Sequence, residues 1–281
     1  MKKILFYFFT IFAIVFWGCK TTDPTKPQPG RKVAISCENN QTIRYHYDPS
    51  SGTITEKGPV LLPKDMTCSK AQSLDEKEIL KFKADGLWQM FYKETNKLLG
   101  EGLYKNGKRE GEWKFYDANG NLTKITIYKN GQKDGPEYGY FAGTKILSYE
   151  GQNKEGKKTG LWKYYSDKEH QCISQGNYVD DMKEGEWVEC SEDPNTKKWY
   201  VSFKGKYFKD LKDGPVENYY PDKQLSSKGS YRADLKCKEN PPPEGEKACE
   251  KKFGKWVFFF PNGNVLEEGN YDPNTGRRTG L

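Results

Sequence analysis

The chain has 281 residues, 35% hydrophobic, 15% aromatic and 30% charged, with 28 Gly, 15 Pro and 7 Cys. So few aliphatics beside so many aromatics exclude a thick conventional core. They fit a thin array in which rings supply most of the burial, each covering roughly 150–250 Å². The formal charge is +7, from 46 Lys+Arg against 39 Asp+Glu.

In chain order, residues 1–18 have the form of an export signal. Lys2 and Lys3 precede an apolar run of 14 residues, Ile4 to Trp17, broken only by Thr10. A spanning helix needs about 20 residues, and this run is short enough for a signal core. It ends Phe16-Trp17-Gly18-Cys19, which resembles the lipobox of bacterial lipoproteins, although the usual Leu and small residue are replaced by Phe16 and Trp17. The resemblance implies cleavage before Cys19, a diacylglyceryl thioether on its sulfur and an acylated amine, which together anchor stably where one chain would not. An ordinary signal followed by a chance Cys is the alternative. With Lys2 and Lys3 removed, the net charge falls to about +5 (7 − 2).

Residues 19–32 carry three prolines and, after Cys19, no apolar residue; they form a solvated tether, spanning roughly 40 Å at about 3.1 Å per residue. Residues 33–80 are expected to form an N-terminal cap over the first strand edge. Tyr45 to Ile54 suggests a hairpin, and the Ser73-Leu74-Asp75-Glu76 box suggests a short helix over 74–82.

Residues 81–281 are repetitive. Asn-Gly occurs at Asn106, Asn119, Asn130 and Asn262, and each marks a hairpin because a type I′ turn needs positive φ at both central residues. Gly86, Gly111, Gly135, Gly160, Gly185, Gly214, Gly254 and Gly280 open successive strands, mostly 24–26 apart. Two positions later stand Trp88, Trp113, Trp162, Trp187 and Trp256, with Glu137 and Val216 in two units. A second glycine, at Gly102, Gly151, Gly176 or Gly205, usually precedes the strand glycine by nine residues; Thr126 replaces it once. A fixed period of this length means stacked hairpin units, each of two strands of about 5–6 residues.

These Asn-Gly-x-x-x-Gly-x-Trp-x-x-Tyr-x-x-Asn-Gly-x-Leu units resemble the MORN-repeat variant family over Gly86 to Leu281. The resemblance implies an all-β fold, an elongated twisted antiparallel β-meander of tandem hairpins. Some relatives carry an antitoxin label. The departures at Glu137 and Val216 suggest weakened aromatic packing.

With Cys19 lipidated, six cysteines remain, which in an exported chain suggests three disulfides among fifteen connectivities. If Gly176 faces Glu186, the position sum is 362 and Cys172 faces Cys190. Cys237 and Cys249 flank a proline insertion, leaving Cys37 with Cys68. Free thiols or another pairing are the alternatives. Without Cys-x-x-Cys and with only His46 and His170, each in a polar turn, no metal or other cofactor is expected.

No catalytic constellation appears. Glu112, Glu137 and Glu186 recur by unit and are read as a solvent face, so the chain is taken as a non-enzyme. Lysines such as Lys105, Lys108, Lys129, Lys133, Lys157, Lys158 and Lys183 are read as turn residues that protect edges, with a basic ridge for anionic polymers or lipids as the sharper reading. Strand alternation puts most aromatics in the core and leaves Phe91, Tyr116 and Tyr165 outward. The expected function is a lipid-anchored binding or scaffolding module of a bacterial envelope. Its partners are the membrane through the anchor and a protein or envelope polymer; nucleic acid is excluded by export. Glycan or peptidoglycan binding and toxin neutralisation are the alternatives. Lys20 in place of Asp after Cys19 favours the outer membrane.

Overall fold

A computed structural model describes residues 30–166, 171–239 and 249–279. The expected signal, lipidated Cys19 and most of the tether lie outside the described residues, as does His170. No helix of the described residues is long and apolar enough to cross a membrane.

The described residues form one open antiparallel sheet of 18 strands in which each strand pairs with the next, as expected for a meander. The N-terminal part contributes β1 (Val33–Glu38), β2 (Gln41–Tyr47) and β3 (Ile54–Pro59), then α1 (Cys68–Gln72) and α2 (Glu76–Leu80). The β2–β3 hairpin is the expected one. β3 pairs with the first array strand through Glu56↔Met90 and Lys57↔Gln89, so these strands cover its edge by extending the sheet. Both helices pack on β1. Val33, Ile35, Ala71, Ile79, Phe82 and Ala84 form a core with Trp88. Helix α2 starts later and ends earlier than expected. Asp75 is its N-cap, accepting from the Glu78 N–H at 2.9 Å, while Ser73 closes α1.

The array runs β4 (Gly86–Phe91), β5 (Leu98–Lys105), β6 (Lys108–Tyr116), β7 (Leu122–Lys129), β8 (Gln132–Tyr140), β9 (Leu147–Lys154), β10 (Lys157–Tyr165), β11 (Cys172–Val179), β12 (Met182–Glu192), β13 (Trp199–Phe208), β14 (Leu211–Tyr219) and β15 (Leu225–Ala233). After α3 (Leu235–Glu239) come β16 (Glu250–Phe259), β17 (Val265–Tyr271) and β18 (Arg278–Thr279). Most of these strands are longer than the 5–6 residues expected; β6, β8, β10, β12, β14 and β16 continue through their strand glycines instead of starting there.

The two rims of the sheet differ. On one, two-residue turns with positive φ at both positions join the strands: Asn106-Gly107, Asn130-Gly131, Glu155-Gly156, Asp180-Asp181 and Lys209-Asp210. Asn119-Gly120 and Asn262-Gly263 are not of this kind. Only their glycines have positive φ, and they sit in longer loops on the opposite rim. There Asp117 closes its loop by accepting from the Asn119 and Asn121 N–H groups, both at 2.9 Å.

Candidate functional site

The strand glycines mark the register shifts. Gly111 has φ +67°, and at that point β6 slips by two residues against β5, the pairing going from Gly102↔Trp113 to Leu103↔Glu110. Gly86, Gly135, Gly160, Gly185, Gly214 and Gly254 share the positive φ. Such bulges bend the strand and tighten its twist.

The second glycine of each unit is the seat for a tryptophan. A Cβ built on Gly58, Gly102, Gly151, Gly176 or Gly229 would approach the ring of Trp88, Trp113, Trp162, Trp187 or Trp256, respectively, closer than 3.0 Å. Only a residue without a side chain lets the indole lie flat on the neighbouring strand. The residue after the seat lies where the ladder slips, and its carbonyl accepts the indole N–H: Pro59 from Trp88 at 2.9 Å, Leu103 from Trp113 at 3.0 Å, Gln152 from Trp162 at 3.0 Å, Asn177 from Trp187 at 3.1 Å and Ser230 from Trp256 at 3.1 Å. All five indoles are at most 2% exposed. At roughly 25 cal/mol per Å², burying each contributes about 4–6 kcal/mol before entropy is set against it.

Tyrosines two residues beyond the seat meet these indoles edge-on, as Tyr104 does with Trp113 at 5.2 Å and Tyr178 with Trp187 at 5.1 Å. A cation four residues before the tryptophan lies over the ring: Arg109, Lys158 and Lys183 at 4.3 Å and Lys252 at 4.4 Å. Lys158 and Lys183 are therefore half-buried partners of the aromatic ladder and do not belong to a turn ridge. Their ammonium groups themselves lie over the rings, Lys158 Nζ donating to Tyr164 Oη at 3.0 Å and Lys183 Nζ to Glu189 at 2.8 Å.

Two units depart from this rule. At Val216 the ring of Phe203 covers Gly205 in place of an indole, so the site stays apolar. At Glu137 the departure is polar and involves three strands. Thr126 occupies the seat, Glu137 the tryptophan slot and Asn153 the following tyrosine slot. Glu137 is not on a solvent face. It is 5% exposed, and its carboxylate accepts from Tyr149 Oη at 3.2 Å and Asn153 Nδ2 at 3.1 Å, with Lys133 Nζ 2.8 Å away. Glu112 and Glu186, one residue before their tryptophans, are exposed as expected. The offset from the strand glycine distinguishes the two cases: Glu137 stands two residues after Gly135, as Trp113 does after Gly111. The polar station separates one hydrophobic cluster, ending at Tyr128, from another that contains Trp187 and Trp256.

His46 lies in β2, not in a turn. It is half-buried, with its ring 5.9 Å from Trp88, and burial, then the nearby Arg44 charge, push it down to about 4. Among the described residues no cluster of His, Cys, Asp or Glu could hold a metal.

Disulfides join Cys37 to Cys68 and Cys237 to Cys249. The register argument for the third is corrected. Gly176 faces Trp187 and Asn177 faces Glu184, sums of 363 and 361, because the bulge falls between them. The side chain of Cys172 lies outside the described residues, so pairing with Cys190 stands as a proposal.

The face opposite the tryptophans carries Phe91, Tyr116 and Tyr165, each half-buried. They stand three residues after the tryptophan slot, and the same offset gives Tyr140, Tyr219 and Phe259, which sequence reasoning missed. All six end their strands on the long-loop rim, and Cys190 fills the remaining place. Leu98, Leu122, Leu147, Leu225 and Val265 oppose five of them across the ladder. Three phenols donate to carboxylates: Tyr116 to Glu101 at 3.2 Å, Tyr165 to Glu150 at 2.6 Å and Tyr219 to Glu217 at 2.5 Å. Burial, then Glu101, holds the Tyr116 phenol above its ordinary value; burial and Glu217 push Tyr219 up to about 12, so both remain donors at neutral pH. Between the Tyr116 and Tyr140 places, a hollow of about 530 Å³ opens, lined by Asn121, Leu122, Tyr140, Thr144 and Lys145.

The fold and its repeated stations define a tandem β-hairpin repeat protein, a continuous open sheet with a tryptophan ladder on one face and a ring row on the other. Three of the units match a family model described as MORN repeat variant, at residues 109–130, 212–233 and 254–272, the units at Gly111, Gly214 and Gly254. No curated protein matches the chain. Solved structures that it resembles include "Crystal Structure of TcdB2-TccC3-Cdc42", at 12% identity and TM-score 0.23, and "Crystal Structure of TcdB2-TccC3", at 13% identity and TM-score 0.22. In both cases 85% of this chain aligns with 12% of the other chain, so this protein spans about an eighth of their length, and the low TM-scores support no argument.

Proposed function

We propose that this protein is a non-catalytic binding module, tethered through lipidated Cys19 to the membrane of a bacterial envelope, on the outer-membrane side, which holds its partner along the outward ring row. The observation that carries this reading is the recurrence of that row. Burial of the tryptophans accounts for the inner face, but the stability of the ladder does not require an aromatic at the third position beyond each slot on the opposite face. Large half-buried rings, four of the six with a phenol hydroxyl, are the residues that binding surfaces favour.

Two experiments test the two halves. Radiolabelled palmitate should enter the chain and be lost in Cys19→Ser; failure to label removes the anchor. A photoreactive residue at Tyr116 in intact cells should yield a discrete crosslinked species, whereas one at Gln152, on the same face away from the row, should not. Equal labelling from both positions would refute the row as the binding surface.

A further inference from the structure

We infer that the outward row is a subsite ladder for an extended polysaccharide of pyranose rings, a proposal that rests on the binding-module reading and specifies its ligand. The first observation is the pitch. Successive rings belong to every second strand, so they advance by about 9–10 Å, twice the inter-strand spacing. That is close to the advance of one disaccharide along an extended β-1,4-linked chain, so each ring meets an equivalent sugar. The second is the chemistry at three of the six places. Tyr116, Tyr165 and Tyr219 place a flat ring beside a carboxylate, from Glu101, Glu150 and Glu217, at hydrogen-bond distance. A pyranose has an apolar face of C–H groups and an equatorial belt of hydroxyls. The ring takes the first by stacking, and the carboxylate takes the second, since it is an acceptor with lone pairs to spare.

The third observation is room. The hollow of about 530 Å³ beside Tyr140 has an apolar floor at Leu122 and polar walls at Asn121, Thr144 and Lys145. This is a small-ligand volume lined in the mixed manner a sugar requires. A protein partner suits the row less well. The centres of protein interfaces are depleted of charge, whereas here each tyrosine of the three pairs carries a glutamate, and ammonium groups lie over Phe91 (Lys57, 5.7 Å) and Phe259 (Lys228, 5.9 Å). The row runs continuously from Phe91 to Tyr165 and is interrupted at Cys190, so the N-terminal half holds the longest uninterrupted set of subsites, four rings.

The test uses the full chain in detergent, titrated with chitohexaose and with chitobiose and followed by calorimetry and by tyrosine-ring chemical shifts. The hexamer is expected to bind at least about tenfold more tightly than the dimer, because it spans several rings. Tyr116→Ala and Tyr140→Ala should each weaken hexamer binding about tenfold, the scale of one aromatic contact. Glu101→Gln should weaken it with circular dichroism unchanged, while Glu186→Gln, at an exposed position outside the four-ring set, should leave it intact. Equal binding of dimer and hexamer, or hexamer binding indifferent to Tyr116→Ala and Tyr140→Ala, overturns the ladder. If the hexamer does not bind but the Tyr116 photocrosslink captures a polypeptide, the ligand class is wrong and the binding module stands. If neither occurs, both fall.

Discussion

Gly102→Ala is the substitution that most directly tests the seat rule. The φ of Gly102 lies outside the left-handed region, so in an ordinary strand alanine would be favoured there by about 0.5–1 kcal/mol. Here the new methyl would fall on the indole of Trp113, which is 0% exposed and cannot simply withdraw. Its N–H is held by the Leu103 carbonyl at 3.0 Å, Tyr104 meets it edge-on at 5.2 Å, Tyr128 at 6.2 Å, and Arg109 lies over it at 4.3 Å. Overpacking costs about 1–3 kcal/mol, and losing the indole hydrogen bond adds about 1 kcal/mol. The net expectation is a loss of roughly 1–3 kcal/mol. In a Trp113→Ala background, itself about 3–5 kcal/mol less stable, the methyl meets empty space and the same substitution should stabilise by about 0.5–1 kcal/mol. A double-mutant cycle in urea, read by far-ultraviolet circular dichroism, measures this reversal of sign. Gly111→Ala is the control. Nothing lies within 4 Å of a Cβ there, yet φ is +67°, so its cost of about 1–2 kcal/mol should be the same with or without Trp113. If Gly102→Ala is neutral or stabilising in the native background, the seat does not exist as described.

Other outcomes follow from the departures and the cap. Glu137→Trp alone should destabilise by roughly 1–3 kcal/mol, because Thr126 fills the seat and Asn153 and Lys133 lose their partner; adding Thr126→Gly and Asn153→Tyr should restore stability and merge the two hydrophobic clusters, seen as sharper urea unfolding. His46 is held neutral in the fold, with its pKa lowered from 6.5 to about 4. Its contribution is therefore fully present above about pH 6.5 and is lost as the pH falls toward 4, where the unfolded chain binds the proton more readily. His46→Phe should flatten the pH dependence of stability in that window. Replacing Cys37 and Cys68 with Ser opens a loop of 31 residues and should cost roughly 3–4 kcal/mol by the loop-entropy argument, measured as a lower urea midpoint of the cap. A non-reducing mass map should find Cys172 linked to Cys190; two free thiols would reject the third bridge.

The sequence by itself determined the repeat, its pitch and its alternation. A glycine two residues before a tryptophan can be read without coordinates because strand parity is fixed at two, so Trp113 and Phe115 had to share a face. The six places of the outer row were equally legible from one constant offset, although only Phe91, Tyr116 and Tyr165 were picked out. Tertiary structure decided what happens between strands. The bulge at each strand glycine shifts the ladder by two residues, and no count along one strand reveals where that shift falls; this is why Gly176 faces Trp187 and not Glu186. It also decided that Lys158 and Lys183 lie over indoles, since a long side chain chooses between water and a ring three-dimensionally. Glu137 shows the division most clearly. Its offset marks the tryptophan slot, but only the convergence of Asn153, Tyr149 and Lys133 from β8 and β9 makes a buried carboxylate tolerable there.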